Sequence, residues 1–428
     1  MKAEGAKKQT AFLTGVNAAV RAMGLLMRVM LSRLLGPEIM GITELAQSVH
    51  MLAITPLTSG LPLAISRMTA KAGLSNKRKP LLAGLMLVRS ASVVLIPALL
   101  VFSPLLARMM GDVRVLPSLW FTAPCVLILG YSAAFNGYCY GMELSRVPAL
   151  SELIEQALRV TLALLLIFAL RRLTAPWLAA VPVAATMLAE LAGLWYVLRR
   201  VGFSAFDAEN ARAWRKPVLR LALPTTFTRV IQTLMRSVTA ILIPLRLQAS
   251  GLQASEATAR LGMLNGMVMP FLMLPCVFTS ALSMVSMPRI AKAEDNRREL
   301  RRLLLLCAAA CVPVGVLSAM AIYLLAPLLS NSIYRLAELG DLFRSSAPMA
   351  ALFSVGHLSG GIIAALGEQK RSMYGTLAVS MLTLVLTYFL AGDARWRLNG
   401  VIAAQAVGQA GMIAWNACVF LRWRRHRR

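Results

Sequence analysis

Charged residues are scarce in this 428-residue sequence, and acidic residues are the scarcest of them. Only 15% of the chain is Asp, Glu, Lys or Arg, with 45 basic residues against 18 acidic ones. Soluble domains contain about 25% charged residues, so this composition excludes an ordinary soluble protein. A phosphate-binding loop of the GxxxxGK[ST] type is missing as well, so we do not expect ATP to be the direct energy source.

Residue types that carry out catalysis or bind metals are few and scattered. None of the six cysteines belongs to a CxxC pair, and all lie in apolar segments, where we expect small buried side chains. The three histidines are not grouped with acidic residues, and no nucleophile elbow surrounds a serine. Basic residues are not interleaved with aromatic residues, as they are in many nucleic-acid-binding proteins. The sequence therefore predicts no enzyme, no cofactor or metal site and no nucleic-acid partner.

Hydrophobic residues make up 58% of the chain, and the mean hydropathy is +0.67. Apolar runs of roughly 20 residues recur along the whole length, and each could cross the ~30 Å hydrocarbon core of a bilayer as an α-helix. The sequence therefore predicts an all-α polytopic membrane protein. The twelve predicted spans are, in chain order, 10–35, 42–66, 81–106, 116–141, 147–170, 175–198, 218–247, 259–288, 303–328, 342–366, 372–391 and 398–421.

Lysine and arginine residues are concentrated in alternate connections between these spans. Arg67 and Lys71 follow the second span, and Arg199 and Arg200 follow the sixth. Cytoplasmic loops of membrane proteins are enriched in Lys and Arg, so this alternation predicts that both termini are cytoplasmic. We expect a multi-pass protein of the bacterial cytoplasmic (inner) membrane.

The two halves of the chain share a weak internal similarity. The segment 21–28 aligns with the segment 229–236, at an offset of 208 residues. An even number of spans in each half gives both halves the same orientation, so the repeats would be parallel. We predict an N-terminal lobe at 1–206 and a C-terminal lobe at 207–428, each with six helices, around a central cavity. A cavity that opens alternately to each side is what a transporter needs.

Arginine residues fall within the predicted spans at matching positions of the two halves. They belong to two stripes of residues with helical spacing, which are Asn17, Arg21 and Arg28 on the first span and Arg229, Gln232 and Arg236 on the seventh. An arginine that faces lipid at mid-depth costs about 2.5–3.5 kcal/mol, so we expect the two stripes to line one water-filled, cationic cavity. The alternatives are that individual arginines reach the membrane surface or pair with carboxylates.

Acidic residues within the spans occur only in the first half of the chain, as Glu44, Glu152, Glu155 and Glu190. Glu44 and Gln47 follow helical spacing on the second span, where they either continue the cavity wall or satisfy other polar side chains. Because no acid lies within the seventh and eighth spans, the cavity should carry positive charge around Arg229 and Arg236. Guanidinium groups bind phosphate through two parallel hydrogen bonds, so pyrophosphate is a natural ligand.

Each half of the chain contains two short motifs, which are LLGPExMG at 34–41 and TSGLPLAIS at 58–66 in the first half, and LPxT at 223–226 and LPxVxTSAL at 274–282 in the second. In composition and order they resemble the stage V sporulation protein B-like and polysaccharide-biosynthesis flippases, which belong to the multidrug/oligosaccharidyl-lipid/polysaccharide exporter superfamily. The resemblance implies two six-helix lobes and alternating access. In the related bacterial lipid II flippases, arginines of the first helix contact the anionic head of the substrate, and Arg21 and Arg28 occupy comparable places.

Together these features predict a flippase that carries an anionic, lipid-pyrophosphate-linked saccharide or cell-wall precursor from the cytoplasmic to the outer leaflet. The predicted partners are this lipid and the membrane lipids, and a coupling cation or proton is left open. The predicted substrate-binding residues are Arg21, Arg28, Arg229, Arg236, Asn17, Gln232, Glu44 and Gln47. Two alternatives stay open: a cation-coupled multidrug exporter of the same superfamily, which would need carboxylates in its cavity, and a non-transporting membrane scaffold in cell-wall or spore assembly.

Overall fold

A computed structural model describes residues 2–73, 76–202 and 211–426, and every regular element in these ranges is a helix. The chain divides into two compact units, Met1–Ser237 and Val238–Arg428. The boundary falls inside the helix Arg215–Ala249. The predicted lobes, which separate after residue 206, would assign that whole helix to the second half, and they stay a prediction.

The first unit begins with a long bent helix and ends within another long helix. Its helices are α1 (Lys2–Thr58), α2 (Gly60–Lys71), α3 (Lys79–Met109), α4 (Leu116–Gly141), α5 (Arg146–Leu170), α6 (Ala175–Val201) and the first part of α7 (Arg215–Ala249). A proline occupies the first turn of α3, α4 and α6. Backbone N–H groups in the first turn have no acceptor within the helix, so proline, which lacks this N–H, costs no hydrogen bond there.

The second unit contains the end of α7 and eight further helices. These are α8 (Ala254–Leu261), α9 (Met269–Leu272), α10 (Leu274–Lys292), α11 (Arg297–Leu328), α12 (Leu339–Ser346), α13 (Pro348–Ala365), α14 (Gln369–Gly392) and α15 (Arg397–His426). Two π-helical segments, Gly262–Val268 and Leu329–Tyr334, continue α8 and α11.

Nine helices of the described chain are long and apolar enough to cross a membrane, and a tenth span results when two segments that meet at 43° are joined. The structure is thus that of an all-α, multi-pass membrane protein. The count differs from the twelve predicted spans for two reasons. The stretch Phe12–Lys71 counts as one candidate, although its 60 residues would be about 90 Å long. The helix α15 is long enough to cross a membrane, but Gln405, Gln409 and Asn416 lower its mean hydropathy, so it is not counted.

The 57 residues of α1 are two helical segments that meet at Gly36, where φ is 78° and ψ is 172°. This region of conformational space is open essentially to glycine alone. The following residue, Pro37, has no N–H to donate to the preceding turn. The sequence predicted two spans separated by a short loop at this place, and the structure replaces the loop with a change of direction at one residue.

Replacing Gly36 with alanine should therefore destabilise the protein by about 1–3 kcal/mol. Gly15→Ala is the matched control, because a Cβ at Gly15 would meet no heavy atom within 4 Å and alanine favours a helix interior. Thermal unfolding of the two purified variants in detergent measures the difference. Equal midpoints for G36A and wild type would contradict this account of the bend.

The core of the first unit brings together α1, α2, α3, α4, α6 and the start of α7. Ile65, Val88, Val126 and Val197 are fully buried in this cluster. Large apolar side chains also lie on the outside, since Val101 and Phe168 are 70% and 71% exposed. Soluble proteins rarely expose contiguous apolar surface of this kind, which agrees with a lipid-facing exterior.

Candidate functional site

The α1 stripe, which consists of Asn17, Arg21 and Arg28, lies on the first segment of α1. Asn17 and Arg21 are exposed, and Arg28 is half-buried. Gly24 lies between the two arginines on the same face, and a Cβ there would be 3.6 Å from Nε2 of Gln156 on α5. The stripe therefore runs beside α5 inside the first unit.

The α7 stripe consists of Arg229, Gln232 and Arg236, at the middle of a 35-residue helix. With a rise of 1.5 Å per residue, both arginines lie within about 6 Å of the helix midpoint. The two arginines are exposed and Gln232 is half-buried. Among the described residues, no carboxylate lies within ion-pair distance of Arg21, Arg229 or Arg236.

The first part of α7 packs against the second segment of α1. Ser237 Oγ donates a hydrogen bond to the carbonyl oxygen of Ser48 at 2.7 Å, and Thr55 Oγ1 donates one to Thr233 Oγ1 at 3.3 Å. Both contacts belong to one face of α7, and the α7 stripe lies along the edge of this face. These two hydrogen bonds join α7 to α1 inside the first unit, and the arginines of the α7 stripe stay exposed next to the contact.

One predicted site residue pair is joined directly, across the bend of α1. Arg28 Nη1 lies 3.2 Å from Glu44 Oε1, and the two side chains are 38% and 14% exposed. Glu44 lies one helical turn before Ser48, which accepts the hydrogen bond from α7. Gln47 is half-buried on the same segment. The sequence left open that individual arginines pair with carboxylates, and Arg28 does so in the structure.

A polar cavity of about 360 Å³ lies beside the α1 stripe, inside the first unit. Val20 and Thr58 contribute walls from the two segments of α1. The remaining polar lining comes from α4, α5 and α6 as Ser132, Asn136, Tyr140, Glu152, Glu155, Gln156, Arg159 and Glu190. This cavity was not predicted as a site, although its carboxylates were noted as membrane-embedded.

Arg159 is the centre of the hydrogen bonds in this cavity. It donates to Glu190 Oε1 at 2.9 Å and to Gln156 Oε1 at 3.1 Å. Asn136 Oδ1 and the Nε of Arg159 are buried without a hydrogen-bond partner. Asn136 Oδ1 is therefore available to accept a hydrogen bond, and Arg159 Nε is available to donate one, to water or to a small polar ligand.

Glu155 is buried in the same cavity and accepts a hydrogen bond of 2.6 Å from Ser151 Oγ. The carboxylate lies directly against Gly193 of α6, so that a Cβ at this position would occupy the place of the carboxylate. The sequence gives no sign of this packing, because the two residues lie 38 positions apart on different helices. No group of three or more His, Cys, Asp or Glu side chains in the described ranges is arranged to hold a metal ion.

A family model described as "Polysaccharide biosynthesis protein" matches residues 6–294. Stage V sporulation protein B of Bacillus subtilis (strain 168) is 25% identical over 421 residues, which are 94% of this chain and 80% of that protein.

Solved structures of several transporters have a similar fold. An inward-facing multidrug resistance MATE family transporter of the MOP superfamily has a TM-score of 0.75, with 16% identity over 94% of this chain and 95% of that one. The lipid II flippase MurJ in an inward closed conformation has the same TM-score, with 13% identity over 96% and 87%. A MOP superfamily transporter from Pyrococcus furiosus, described as having a binding pocket of reverse polarity, has a TM-score of 0.62, with 15% identity over 96% of this chain and 95% of that one.

Proposed function

This chain belongs to the polysaccharide biosynthesis protein family, and from that premise we propose that it is a flippase for a lipid-pyrophosphate-linked saccharide. The cargo, a polysaccharide or cell-wall precursor, would move from the cytoplasmic to the outer leaflet of the bacterial cytoplasmic membrane by alternating access. The observation that carries the proposal is the set of exposed arginines without carboxylate partners, Arg21, Arg229 and Arg236, at the depth of the spans.

The cost of these arginines supports an anionic ligand. Each would cost about 2.5–3.5 kcal/mol if it faced lipid near mid-depth, and a wet surface that lowers this cost still leaves the positive charges unneutralised. A pyrophosphate head supplies oxygen acceptors that match the planar guanidinium fork. Arg28 contributes less free charge, because Glu44 lies 3.2 Å from it. We therefore assign phosphate binding first to Arg21, Arg229 and Arg236, with Asn17, Gln232, Gln47 and the Arg28–Glu44 pair around them.

The proposal includes twelve spans, in two parallel six-helix lobes divided near residue 206, with both termini in the cytoplasm. The spans beyond the nine candidates would come from the division of α1 at Gly36, from the bent segments between 254 and 283, and from α15. The distribution of basic residues between alternate loops supports the orientation.

A cation-coupled exporter is the second candidate, and the cavity around Glu155 and Glu190 is the observation that favours it. Exporters coupled to ions or protons need membrane-embedded carboxylates, and both of these are buried beside unsatisfied polar atoms. Arg159 already neutralises part of this charge through its ion pair with Glu190. In a flippase, the same cavity would bind a coupling cation or proton.

Reconstitution of the purified full-length protein into vesicles tests the proposal. A polyprenyl-pyrophosphate-linked saccharide placed on one leaflet should become accessible to a membrane-impermeant sugar-modifying enzyme on the other side only when the protein is present. Export of cationic dyes under a sodium or proton gradient, with no movement of the lipid, would favour the second candidate and contradict the first.

A further inference from the structure

A groove of about 840 Å³ lies on the second unit, and none of the predicted site residues contributes to it. It is formed by α11, α13 and α15, at the end of the unit where α11 begins and α15 finishes. The sequence places this end on the cytoplasmic side. Four arginines surround its mouth, namely Arg297, Arg298, Arg301 and Arg424. We call it the arginine groove.

The walls below these arginines are apolar and follow helical spacing. On α11, Arg301 is followed by Leu304, Leu305 and Ala308, which occupy one face of the helix. On α15, Phe420 and other residues at the same spacing precede Arg424. The buried side chains on the inner faces of these helices form a core cluster with α13, which holds the walls in place.

The length of the groove matches one leaflet of a bilayer. Arg297 and Ala308 are 11 positions apart along α11, and Ile413 and Arg424 are 11 positions apart along α15. At 1.5 Å per residue, each wall is about 16 Å long, close to half of the ~30 Å hydrocarbon core. A hydrocarbon tail that enters beside the arginines would therefore end near the middle of the membrane.

The mouth of the groove is positively charged, but the groove has few of the acidic and amide side chains that bind the hydroxyl groups of a sugar. No acidic residue is among those that line it. The one deeply buried amide, Asn416, already donates to Ser359 Oγ at 3.1 Å and accepts from Ser372 Oγ at 3.3 Å. The charge favours a phosphate group, and the polar side chains of the lining other than the arginines are already hydrogen-bonded to one another, which disfavours a saccharide.

We propose that the arginine groove binds an anionic phospholipid, with its phosphate against Arg298, Arg301 and Arg424 and a hydrocarbon tail along Leu304, Ala308 and Phe420. Basic pockets between transmembrane helices on the cytoplasmic side are typical places for such headgroups. This inference does not depend on the flippase proposal, because it concerns a membrane lipid and a different surface.

Lipid binding by the full-length protein in an uncharged detergent tests the proposal. Phosphatidylglycerol is titrated, and bound lipid is counted by native mass spectrometry, with zwitterionic phosphatidylcholine, which has no net charge, as the comparison. Wild type should bind phosphatidylglycerol at least tenfold more tightly than phosphatidylcholine. The double variant R301A/R424A should lose at least tenfold in affinity, since each arginine near a membrane surface contributes about 1 kcal/mol.

Two matched controls separate a site from general attraction. R302A/R425A removes the same charge from neighbouring exposed positions that do not line the groove, and it should change the affinity by less than about twofold. Ala308→Trp fills the groove without altering charge and should reduce binding, whereas Ala309→Trp, on the exposed side of α11, should not.

Equal losses in R301A/R424A and R302A/R425A would overturn the proposal, and so would equal binding of the two phospholipids. Competitive displacement of phosphatidylglycerol by a polyprenyl pyrophosphate would assign the groove to that lipid instead. Failure of the lipid-translocation assay would leave these binding results unchanged, so the two proposals can fail separately.

Discussion

The double variant Arg21→Ala/Arg229→Ala should translocate the lipid-linked saccharide at least about a hundredfold more slowly than wild type. Both arginines are exposed without a carboxylate partner in the described chain, so their charge is available to a ligand. A hydrogen bond to a charged group contributes about 1.5–3 kcal/mol, and each 1.4 kcal/mol is a factor of ten. Two lost contacts therefore exceed a hundredfold. The vesicle translocation assay measures the rate.

One control for this prediction has the same net charge as the alanine variant, and the other has the same net charge as wild type. Arg33→Ala/Arg220→Ala removes two exposed arginines from the same helices, outside both stripes, and should transport at a rate close to that of wild type. Arg21→Lys/Arg229→Lys keeps the charges but loses the planar fork, so an intermediate rate is expected. A wild-type rate in the alanine variant, with normal amounts of protein in the membrane, would contradict the role of the stripes.

Replacing Glu190 with alanine should destabilise the protein by about 3 kcal/mol. Glu190 and Arg159 form an ion pair of 2.9 Å with side chains that are 11% and 23% exposed. Removing one partner of a buried pair leaves the other charge uncompensated and costs about 3–5 kcal/mol, and the partial exposure of Arg159 places the expected value at the lower end. Thermal or denaturant unfolding of the purified variants in detergent measures the loss.

A double-variant cycle gives the control for this second prediction. Arg159→Ala/Glu190→Ala should cost clearly less than the sum of the single variants, because no unpaired charge is left behind. The exposed pair Arg260–Glu256, at 3.5 Å on the second unit, should lose less than about 1 kcal/mol when Glu256 becomes alanine. Similar losses in the free energy of unfolding for Glu190→Ala and Glu256→Ala would contradict the expected larger contribution of the buried Arg159–Glu190 pair.

Sequence patterns predicted the helical, multi-pass class because hydrophobic length is a local property. They could not predict how α1 turns at Gly36, since a glycine before a proline is compatible with a loop as well as with a bend. They predicted that Arg28 lines the cavity and left Glu44 either on the cavity wall or satisfying other polar side chains, and the structure joins the two residues in an ion pair. This pairing depends on the bend, which brings residues 16 positions apart together.

The cavity around Arg159 shows a second limit of sequence reasoning. Glu190 lies 31 positions from Arg159 on the next helix, and the spacing rules for one helix say nothing about neighbours on another. Gly193 could have given a signal, because a glycine inside an apolar helix often marks close packing. Its partner, the carboxylate of Glu155, became identifiable only from the packing of α5 against α6.

Binding of a diphosphate headgroup by the α1 and α7 stripes is the central step of the proposed translocation. The most direct measurement is the dissociation constant of a polyprenyl pyrophosphate, compared with that of the uncharged polyprenol, for wild type and for R21A/R229A in an uncharged detergent. Wild type should prefer the pyrophosphate by at least about a hundredfold, and the variant should lose most of this preference. An equal preference in both proteins would contradict the central claim.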